Sequence, residues 1–338
     1  MVKTKIGING FGRIGRQILR NIITNYDDNV EVVAINDLGR PKTNAHLFKY
    51  DSTYGKFKKE VTIEQGNLVI NGKIIKSISE KKPEDINWGK LGVEIIIEST
   101  GIFTDAKNAK RHLENGGEKV IISAPSTGED ITIVMGINHN DYDPNKHSII
   151  SNASCTTNCV ALMIKVLHEN FGIDKALMST IHAYTTDQSI LDQQHSDLRR
   201  ARAAGNSIIP TSTGAAKAVT SVIPQLIGKI DGMAYRVPVI TGSVTDLTVQ
   251  LSKKSNIKDI NDSFKKASEN ELNGLLDISM EPLVSSDYIG SKYSCTIDGL
   301  STSDVGDGFV KIVGWYDNEW AYARRVADLA LHLANNKV

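Results

Sequence analysis

The chain has 338 residues, and its 39 lysines and arginines equal its 39 aspartates and glutamates, so the formal net charge is zero. This balance excludes the basic excess that marks a protein bound to nucleic acid or to an anionic membrane. We therefore expect no nucleic-acid partner, and we expect any anionic ligand to be held by a few placed residues.

The sequence shows no signal for a membrane or for an oxidising compartment. The first five residues lack the apolar stretch of a signal peptide, and no segment approaches the roughly 20 apolar residues that span a bilayer. The three cysteines are too few for a disulfide framework and form no C-x-x-C pair. We therefore expect a cytoplasmic protein with free thiols, no membrane contact and no metal site.

Residues 1–150 predict strands and helices in alternation. A short strand over 5–9 leads into a helical pattern over 13–26, and a strand rich in valine and isoleucine follows over 31–36. Three further short apolar runs lie at 94–98, 119–123 and 131–135. Such runs are typical of buried parallel strands between helices. The order predicts an α/β Rossmann dinucleotide-binding domain with a doubly wound sheet.

After about residue 151 the pattern changes to longer, alternating strands. Leu247, Val249 and Leu251 share one face of a strand whose other face is polar, and a second alternating run covers 308–316. Alternation is typical of antiparallel strands that pack one face on a core. We expect an α+β domain with a mainly antiparallel sheet, followed by a final helix from Asn318 onward.

The segment 10–15 reads G-x-G-x-x-G where the first strand meets the first helix. In a dinucleotide-binding turn, Gly10 permits the tight turn, Gly12 lets the backbone approach a pyrophosphate, and Gly15 lets helix pack on strand. The helix start then offers N–H groups and the positive end of its dipole to the phosphates. Asp37 follows the second strand, where a carboxylate bonds the adenosine ribose hydroxyls.

The nature of the dinucleotide depends on charges around Asp37. Its carboxylate repels a 2′-phosphate and favours NAD over NADP, whereas Arg40 and Lys42 weaken that preference. The alternative is a glycine-rich turn without a ligand and with Asp37 on the surface. The strand, glycines, helix and acid in this order favour NAD as the cofactor.

Cys155 lies at the predicted start of a helix that runs to about Gly172. The helix dipole there favours thiolate over thiol, so we expect the pKa of this cysteine to be lowered. Aldehyde oxidation needs such a nucleophile, because a free aldehyde has no good hydride to transfer until an addition product forms. The alternative, a small buried hydrophobe, is about equally compatible with the context of Cys155. Cys159 and Cys295 are expected to serve packing.

His182 ends an apolar strand over 177–181 and opens into a polar loop. A histidine at such a strand end is placed to serve a cleft. Paired with Cys155, it would hold the thiolate and exchange a proton with the hemithioacetal oxygen. The other histidines show no comparable setting and no metal-ligand spacing.

Four segments carry a resemblance to a known family. They are 7–16 around the glycine motif, 151–159 around Cys155, 212–217 (STGAAK) and 315–320 (WYDNEW). In this order and over essentially the whole chain, they resemble the phosphorylating glyceraldehyde-3-phosphate dehydrogenases, and the stretch around Cys155 is highly specific.

The resemblance implies an enzyme of glycolysis and gluconeogenesis. Such an enzyme oxidises D-glyceraldehyde 3-phosphate to 1,3-bisphosphoglycerate through a thioester on Cys155, with hydride transfer to NAD. The resemblance also implies an NAD-binding domain over 1–151 that is completed by a C-terminal helix over 319–338, a catalytic domain over 152–318, and a homotetramer.

The resemblance further implies a role for each residue that matches a family motif. Cys155 is the nucleophile and His182 its base, while Thr185 and Arg236 hold the substrate phosphate. The residues implied for inorganic phosphate are Ser154, Thr156, Arg199, Thr213 and Gly214. Those implied for NAD, beside Gly10, Gly12 and Gly15 of the turn, are Arg13, Ile14, Asp37, Ser123 and Asn318, the last on the nicotinamide amide.

Two segments depart from the family pattern. Gln193 and Gln194 stand where many NAD-specific members carry a Leu-Pro pair near the adenosine, across a subunit contact, which leaves the use of NADP open. The segment 239–242 replaces the usual Pro-Asn version, and we expect a loop variation with little effect on chemistry.

Two other functions form the alternatives. An erythrose-4-phosphate dehydrogenase has similar active-site parts, but the loop over 212–217 suits inorganic phosphate and speaks against it. A Rossmann-fold scaffold or binding protein with a dead site is the alternative of another class, and its Cys155 would not react with a thiol label.

Overall fold

The computed structural model describes residues 3–26 and 28–337. The chain divides into two compact units. The first unit comprises Met1–Ile133, Asn138–Ala153 and Ala323–Val338, and the second comprises Val134–Ile137 and Ser154–Tyr322.

The first unit alternates strands with helices in its early part and carries a hairpin region in its middle. Its elements are β1 (Thr4–Asn9), α1 (Arg13–Asn25), β2 (Val30–Asn36), α2 (Pro41–Lys49), β3 (Tyr50–Asp51), β4 (Gly55–Lys56), β5 (Val61–Glu64), β6 (Asn67–Ile70), β7 (Lys73–Ile78), β8 (Ile95–Glu98), α3 (Ala106–Ala109), β9 (Lys119–Ile122), β10 (Ile131–Thr132) and β11 (Ile149–Ser151).

Within the described residues, nine of these strands form one sheet in the order β10-β11-β9-β8-β1-β2-β7-β6-β5. The pairs from β10 to β7 are parallel, whereas β5, β6 and β7 pair antiparallel. All four residues of β8 are buried, as a strand covered on both faces requires. Trp88, Ile96 and Val120 lie fully buried in one core cluster of this unit. Burial of each such side chain stabilises the fold by about 1.5–3 kcal/mol.

The strand order of this sheet reverses at β1, which pairs with β2 on one side and β8 on the other. Asn9 at the end of β1 is in register with Asn36 and with Glu98. Its side chain donates to Glu98 Oε2 at 2.5 Å and accepts from Asn36 Nδ2 at 2.7 Å. Ligands of doubly wound sheets bind outside the carboxyl ends of the strands at such a reversal. The predicted α/β class is confirmed for this part of the chain.

The second unit is built from long strands and three helices. Its elements are α4 (Cys155–Phe171), β12 (Ile173–Ala183), β13 (Ile209–Ser212), α5 (Ala215–Val222), β14 (Ile230–Val237), β15 (Ser243–Leu251), α6 (Ile257–Glu269), β16 (Leu276–Ser279), β17 (Cys295–Asp298), β18 (Ser303–Asp304) and β19 (Phe309–Tyr316).

The sheet of the second unit, over the described residues, has the order β13-β14-β12-β15-β19-β17-β16, with β18 paired to β19. Only the β12–β14 and β16–β17 pairs are parallel, so the sheet is mainly antiparallel, as predicted. Buried and half-buried residues alternate along all of β15, which confirms the face that Leu247, Val249 and Leu251 share. Helix α4 is buried along most of its length and packs on this sheet.

A final helix, α7 (Trp320–Asn335), begins in the second unit and belongs to the first from Ala323 on. The side predicted to be apolar is buried, with Val326, Ala327, Ala330 and Leu333 at most 1% exposed. No described helix of the chain is both long enough and apolar enough to cross a membrane.

Most predicted elements form within one or two residues of their expected bounds, with two differences. The run over 131–135 forms only the two-residue strand β10, because its partner β11 ends at Ser151, opposite Thr132. Ile133 and Val134 are still fully buried, so the apolar run contributes to the core without a strand. The strand predicted over 177–181 is longer and extends over Ile173–Ala183, and His182 lies at its end as the last residue but one.

Candidate active site

The turn between β1 and α1 requires glycine at two of its three motif positions. Gly10 has φ +90°, and a Cβ there would lie 2.6 Å from the backbone nitrogen of Thr100. A Cβ on Gly15 would lie 2.2 Å from the carbonyl oxygen of Gly10. These two glycines are therefore explained by the fold itself.

Gly12 is different, because the protein gives no reason for its missing side chain. A Cβ on Gly12 would meet no atom within 4 Å, and the residue is exposed. It also caps α1 without a side-chain hydrogen bond, so the helix start is not covered by a capping side chain. An open cradle at a helix N-terminus fits the pyrophosphate of a dinucleotide.

Asp37 lies next to this turn. Its Oδ2 accepts from the backbone N–H of Phe11 at 2.9 Å and its Oδ1 from that of Gly39 at 2.7 Å. These bonds hold the carboxylate at the carboxyl edge of β2. The position fits the ribose-binding acid that the sequence predicts.

The other residues predicted to contact NAD in the first unit have varied settings. The hydroxyl of Ser123 donates to the carbonyl of Glu98 at 3.0 Å. The guanidinium of Arg13 pairs with Asp51 at 2.9 Å, so this side chain is held by the protein and only its backbone remains at the helix start. Ile14 is half-buried in the first turn of α1.

Cys155 is the first residue of α4, and Ser154 caps that helix. The Ser154 hydroxyl accepts from the backbone N–H of Thr157 at 3.0 Å. Ahead of it, Ala153 has φ +54°, a left-handed conformation that costs free energy for a residue with a side chain. A capped helix start therefore presents the thiol, as the sequence predicts.

The thiol of Cys155 faces His182. Its Sγ lies 3.3 Å from Nε2 of the imidazole, which β12 carries at its last residue but one. The other ring nitrogen, Nδ1, lies 2.7 Å from the carbonyl oxygen of Ala183 and 2.6 Å from Nη1 of Arg236. The carbonyl only accepts and favours a proton on Nδ1, whereas the guanidinium only donates and favours a lone pair there. The tautomer with its proton on Nδ1 leaves the lone pair of Nε2 toward the thiol. Arg236 then donates to the same carbonyl, at 3.1 Å.

Burial opposes charge on both members of this pair. It raises the pKa of the Cys155 thiol to about 11, against the opposing effects of Arg236 and of bonds from Thr156. Burial and, to a smaller extent, the charge of Arg236 together lower the pKa of His182 to about 3. The expectation of a lowered thiol pKa is therefore wrong, because the cost of burying a thiolate exceeds the benefit of the helix start and of Arg236. At neutral pH the pair consists of a thiol and a neutral imidazole.

A tyrosine that the sequence reasoning did not single out holds this arrangement. The hydroxyl of Tyr316, at the end of β19, lies 2.8 Å from Thr156 Oγ1 and 2.9 Å from Thr180 Oγ1. Its ring packs edge-on against the imidazole of His182, with centroids 6.1 Å apart. It lies where the alternating run over 308–316 meets the family motif over 315–320, and neither pattern indicates its role at the site.

Arg236 combines burial with an unsatisfied donor. Its Nε is buried and has no hydrogen-bond partner among the described residues. Burial lowers the pKa of this guanidinium, while the charge of Asp187 opposes that effect. Thr185, also predicted to bind phosphate, bonds through its hydroxyl to Asp187. A half-buried guanidinium with a buried free donor, close to the thiol, fits an anionic ligand.

The structure gives Arg200, not Arg199, the ordered position in the arginine-rich loop. Arg200 donates to Asp187 at 2.8 Å and to Thr211 Oγ1 at 2.9 Å. Arg199 is exposed, and its backbone N–H donates to Asp197 Oδ1 at 2.8 Å. Adjacent arginines in an irregular loop carry no periodicity, so the sequence offered no signal to separate them.

The remaining residues predicted for inorganic phosphate divide into two groups. The hydroxyls of Ser154 and Thr156 are bonded inside the protein, the first as a helix cap and the second to Tyr316. Thr213 and Gly214 lie at the accessible start of α5, where a Cβ on Gly214 would meet nothing within 4 Å.

Asn318, predicted to contact the nicotinamide, is only 4% exposed. Its Oδ1 accepts from the hydroxyls of Ser243 at 2.9 Å and Thr241 at 3.2 Å. Neither hydroxyl was among the predicted site residues. Over the part of the chain that the structure describes, no cluster of three or more His, Cys, Asp or Glu residues is arranged to hold a metal ion.

Comparison with known proteins supports the family that the motifs suggested. The model of the glyceraldehyde 3-phosphate dehydrogenase NAD binding domain matches residues 4–106, and that of the C-terminal domain matches 154–318. The chain is 56% identical to glyceraldehyde-3-phosphate dehydrogenase 2 of Streptomyces avermitilis over 331 residues, and 56% identical to glyceraldehyde-3-phosphate dehydrogenase of Geobacillus stearothermophilus over the same length. It is 53% identical to glyceraldehyde-3-phosphate dehydrogenase 1 of Bacillus subtilis over 330 residues, and each alignment covers 98% of both chains.

These matches span the glycine turn with its open cradle and the helix that carries Cys155 opposite His182. They confirm the resemblance, the two-part fold class and NAD as the cofactor. The chain belongs to the glyceraldehyde-3-phosphate dehydrogenase family and is an NAD-dependent oxidoreductase.

Proposed function

We propose that this protein catalyses the phosphorylating oxidation of D-glyceraldehyde 3-phosphate to 1,3-bisphosphoglycerate in glycolysis and gluconeogenesis. The observation that carries the proposal is the thiol of Cys155 at a helix start, 3.3 Å from the basic nitrogen of His182. A nucleophile and a base within reach of one carbonyl carbon are what aldehyde oxidation through a covalent intermediate requires.

The first step forms the covalent bond between enzyme and substrate. The proton of the Cys155 thiol passes to His182 Nε2, and the thiolate adds to the aldehyde carbon. The carbonyl oxygen takes up the proton to give a hemithioacetal. The backbone N–H of Cys155 and the ring of His182 stabilise the negative charge that develops on this oxygen.

Oxidation leaves the acyl group on the sulfur. NAD, when bound, supplies the carbon that accepts a hydride. His182 removes the hydroxyl proton while the hydride leaves, so the hemithioacetal carbon becomes the carbonyl of a thioester on Cys155. Inorganic phosphate then attacks this carbonyl, the C–S bond breaks, and the acyl phosphate leaves with the thiolate restored.

Two sets of groups are proposed to hold the phosphates. Arg236 and Thr185 hold the substrate phosphate, and the unpartnered buried Nε of Arg236 supports its assignment. Inorganic phosphate is assigned to the residues that match the family motifs, namely Ser154, Thr156, Arg199, Thr213 and Gly214. The accessible start of α5 supports Thr213 and Gly214, and the ordered guanidinium of Arg200 makes it a further candidate.

The cofactor contacts are proposed on the same basis. The open cradle at Gly12 supports the pyrophosphate site of the turn, whose other members are Gly10, Gly15 and the backbone of Arg13 and Ile14. Asp37 would bind the adenosine ribose, and Ser123 and Asn318 would contact the nicotinamide half. We further propose that residues 1–151 with the C-terminal helix form the cofactor domain and 152–318 the catalytic domain of a cytoplasmic homotetramer. Sedimentation velocity tests the tetramer, and a monomer or dimer would contradict it.

The experiment that tests this function measures reduced-nicotinamide absorbance with glyceraldehyde 3-phosphate, NAD or NADP, and phosphate. The wild-type chain should reduce NAD rapidly, and Cys155→Ser should lose this turnover while it still binds NAD. Cys159→Ser, at the buried cysteine one helical turn further on, is the matched control and should remain active. Undiminished activity of Cys155→Ser would refute the assignment, and turnover with erythrose 4-phosphate alone would change the substrate.

A further inference from the structure

The carboxamide of Asn318 is held by two hydroxyls, one from the loop before β15 and one from the first residue of β15. Ser243 is fully buried and Thr241 is 2% exposed. Both donate to Asn318 Oδ1, at 2.9 Å from Ser243 and 3.2 Å from Thr241. Thr241 lies in the segment 239–242, which departs from the usual family pattern.

The direction of these bonds determines the orientation of the amide. The Ser243 oxygen accepts from the backbone N–H of Ala183 at 3.1 Å, and its own proton is directed to Asn318. The single proton of Thr241 lies between Asn318 Oδ1 and Asp317 Oδ1, which is 3.0 Å away. These donors occupy Oδ1 of Asn318. The Nδ2 group is therefore the one that can donate to a ligand.

The backbone beneath Asn318 is held as well. Asp317 is fully buried, and its Oδ1 accepts from the N–H groups of Glu319 and Trp320, each at 2.9 Å, at the start of α7. Its Oδ2 accepts from the N–H of Gly290 at 2.8 Å. These bonds hold the chain on both sides of Asn318, and the two hydroxyls restrict the rotation of its amide.

We infer that Thr241 and Ser243 are positioning residues for the cofactor. They keep Asn318 in the orientation in which Nδ2 donates to the carboxamide oxygen of the nicotinamide. The inference rests on the proposed contact of Asn318 with that group. A flipped amide would present oxygen in place of Nδ2 and would bond the carboxamide in its other orientation.

Ser243 connects this function to the catalytic base. Its oxygen holds the N–H of Ala183, whose carbonyl lies 2.7 Å from Nδ1 of His182. One buried hydroxyl thus bonds the strand that carries His182 and also the amide that faces the nicotinamide. The segment expected to be a neutral loop variation contributes, through Thr241, to the same arrangement.

Calorimetric binding of NAD and of ADP-ribose to the full-length chain tests the inference, because ADP-ribose lacks the nicotinamide. Thr241→Val and Ser243→Ala should each weaken NAD binding about tenfold, the effect of one lost hydrogen bond to an oriented group. ADP-ribose binding should stay within about twofold of wild type in both. Thr241→Ser retains the hydroxyl and should restore NAD binding.

A matched control is available in the same unit. Thr302 is a buried threonine whose hydroxyl donates at 2.8 Å to the amide oxygen of another asparagine, Asn261. Thr302→Val should leave the ratio of NAD to ADP-ribose affinity at its wild-type value. The Thr241→Val and Thr241→Ser pair decides the question even where Ser243→Ala fails to fold.

Asn318→Ala separates the inference from the proposed function. An unchanged affinity ratio in Asn318→Ala refutes the nicotinamide contact, and with it the inference. A lower ratio in Asn318→Ala, but not in Thr241→Val or Ser243→Ala, overturns the positioning role alone. Equal weakening of both ligands in Thr241→Val and Ser243→Ala also overturns it, because a general structural role would act in that way.

Discussion

Cys155 and His182 face each other as neutral groups, since burial raises the pKa of the thiol and lowers that of the imidazole. A proton that moves from Sγ to Nε2 creates both charges side by side, where each stabilises the other over 3.3 Å. Arg236 favours the thiolate and opposes the imidazolium. The site therefore favours ionisation that is short-lived and coupled to attack on the aldehyde.

The lowered pKa of His182 predicts a specific loss of stability in acid. The pKa is about 3 in the folded chain against 6.5 for an ordinary histidine, so the unfolded chain binds this proton more readily. The contribution is fully present above about pH 6.5 and is lost as the pH falls toward 3. At pH 5 the loss amounts to about 2 kcal/mol, from about 1.4 kcal/mol for each pH unit below 6.5.

Urea unfolding of wild type and His182→Gln at pH 7 and pH 5, at one fixed chain concentration, measures this contribution. Between these two values the wild-type chain should lose about 2 kcal/mol more unfolding free energy than the variant. Equal losses in the two proteins would show that His182 accepts its proton as readily in the folded chain as in the unfolded one.

Substitution of the two adjacent arginines should affect KM for inorganic phosphate to different extents. Arg200 is held by Asp187 and Thr211, whereas Arg199 is exposed. Because an ordered guanidinium binds an anion at a lower entropic cost, Arg200→Gln should raise KM for phosphate about tenfold or more. Arg199→Gln should change it less than about threefold, as expected for a screened surface charge. If steady-state kinetics show the larger increase in KM for Arg199→Gln, the phosphate contact belongs to Arg199, as the resemblance implies.

At the scale of elements, the glycines of the turn between β1 and α1 have different roles. Gly15 is needed for the stability of the fold, whereas Gly12 is proposed to serve NAD binding. Gly15→Ala would place a Cβ 2.2 Å from the carbonyl oxygen of Gly10 and should destabilise the chain by about 3 kcal/mol. Gly12→Ala meets no protein atom within 4 Å, at an ordinary φ of −74°, so its unfolding free energy should stay within about 1 kcal/mol of wild type.

The loss of NAD affinity at the cradle should come from Gly12→Ala, the variant that leaves the stability nearly unchanged. Gly12→Ala fills the cradle proposed for the pyrophosphate and should weaken NAD binding strongly in a fluorescence titration. The melting temperature and the NAD affinity, measured on the same two variants, give both halves of this prediction. Gly12→Ala with undiminished NAD affinity would mean that the pyrophosphate does not approach this residue.

The elements themselves were largely predictable, because their signals are local. The alternation along β15 and the isoleucines of β8 predict both the strand and its buried faces. The run over 131–135 shows the limit of such signals, since β10 ends where its partner β11 ends, and no local pattern records the length of a partner.

The site was predictable only in part, because sequence patterns are local whereas many contacts of the site join residues that are distant in the chain. A helix start at Cys155 and a strand that carries His182 can be read locally, and the chemistry of aldehyde oxidation suggests their pairing, in agreement with the family resemblance. The hydroxyls that hold Asn318 lie 75 and 77 residues from it, so only the folded sheet brings them together. Burial of the thiol, which reverses the expected pKa shift, also depends on the assembled fold and not on the helix start alone.

At the scale of the whole molecule, the chain has zero formal net charge, although the proposed function requires it to bind a phosphorylated aldehyde, inorganic phosphate and an anionic dinucleotide. No global field attracts these anions, so recognition depends on the few placed groups described above. The proposed reaction uses those groups in sequence, with the thioester on Cys155 as the intermediate that links oxidation to phosphate transfer.

The most direct test of this account is rapid-mixing absorbance of reduced nicotinamide with glyceraldehyde 3-phosphate and NAD, in buffers without and with phosphate. Without phosphate, the account predicts a burst of about one NADH per active chain and then arrest, because the thioester on Cys155 has no acceptor. With phosphate, turnover should continue at the burst rate or below it. Sustained turnover at the same rate in both buffers would contradict the central claim that phosphate releases a thioester from Cys155.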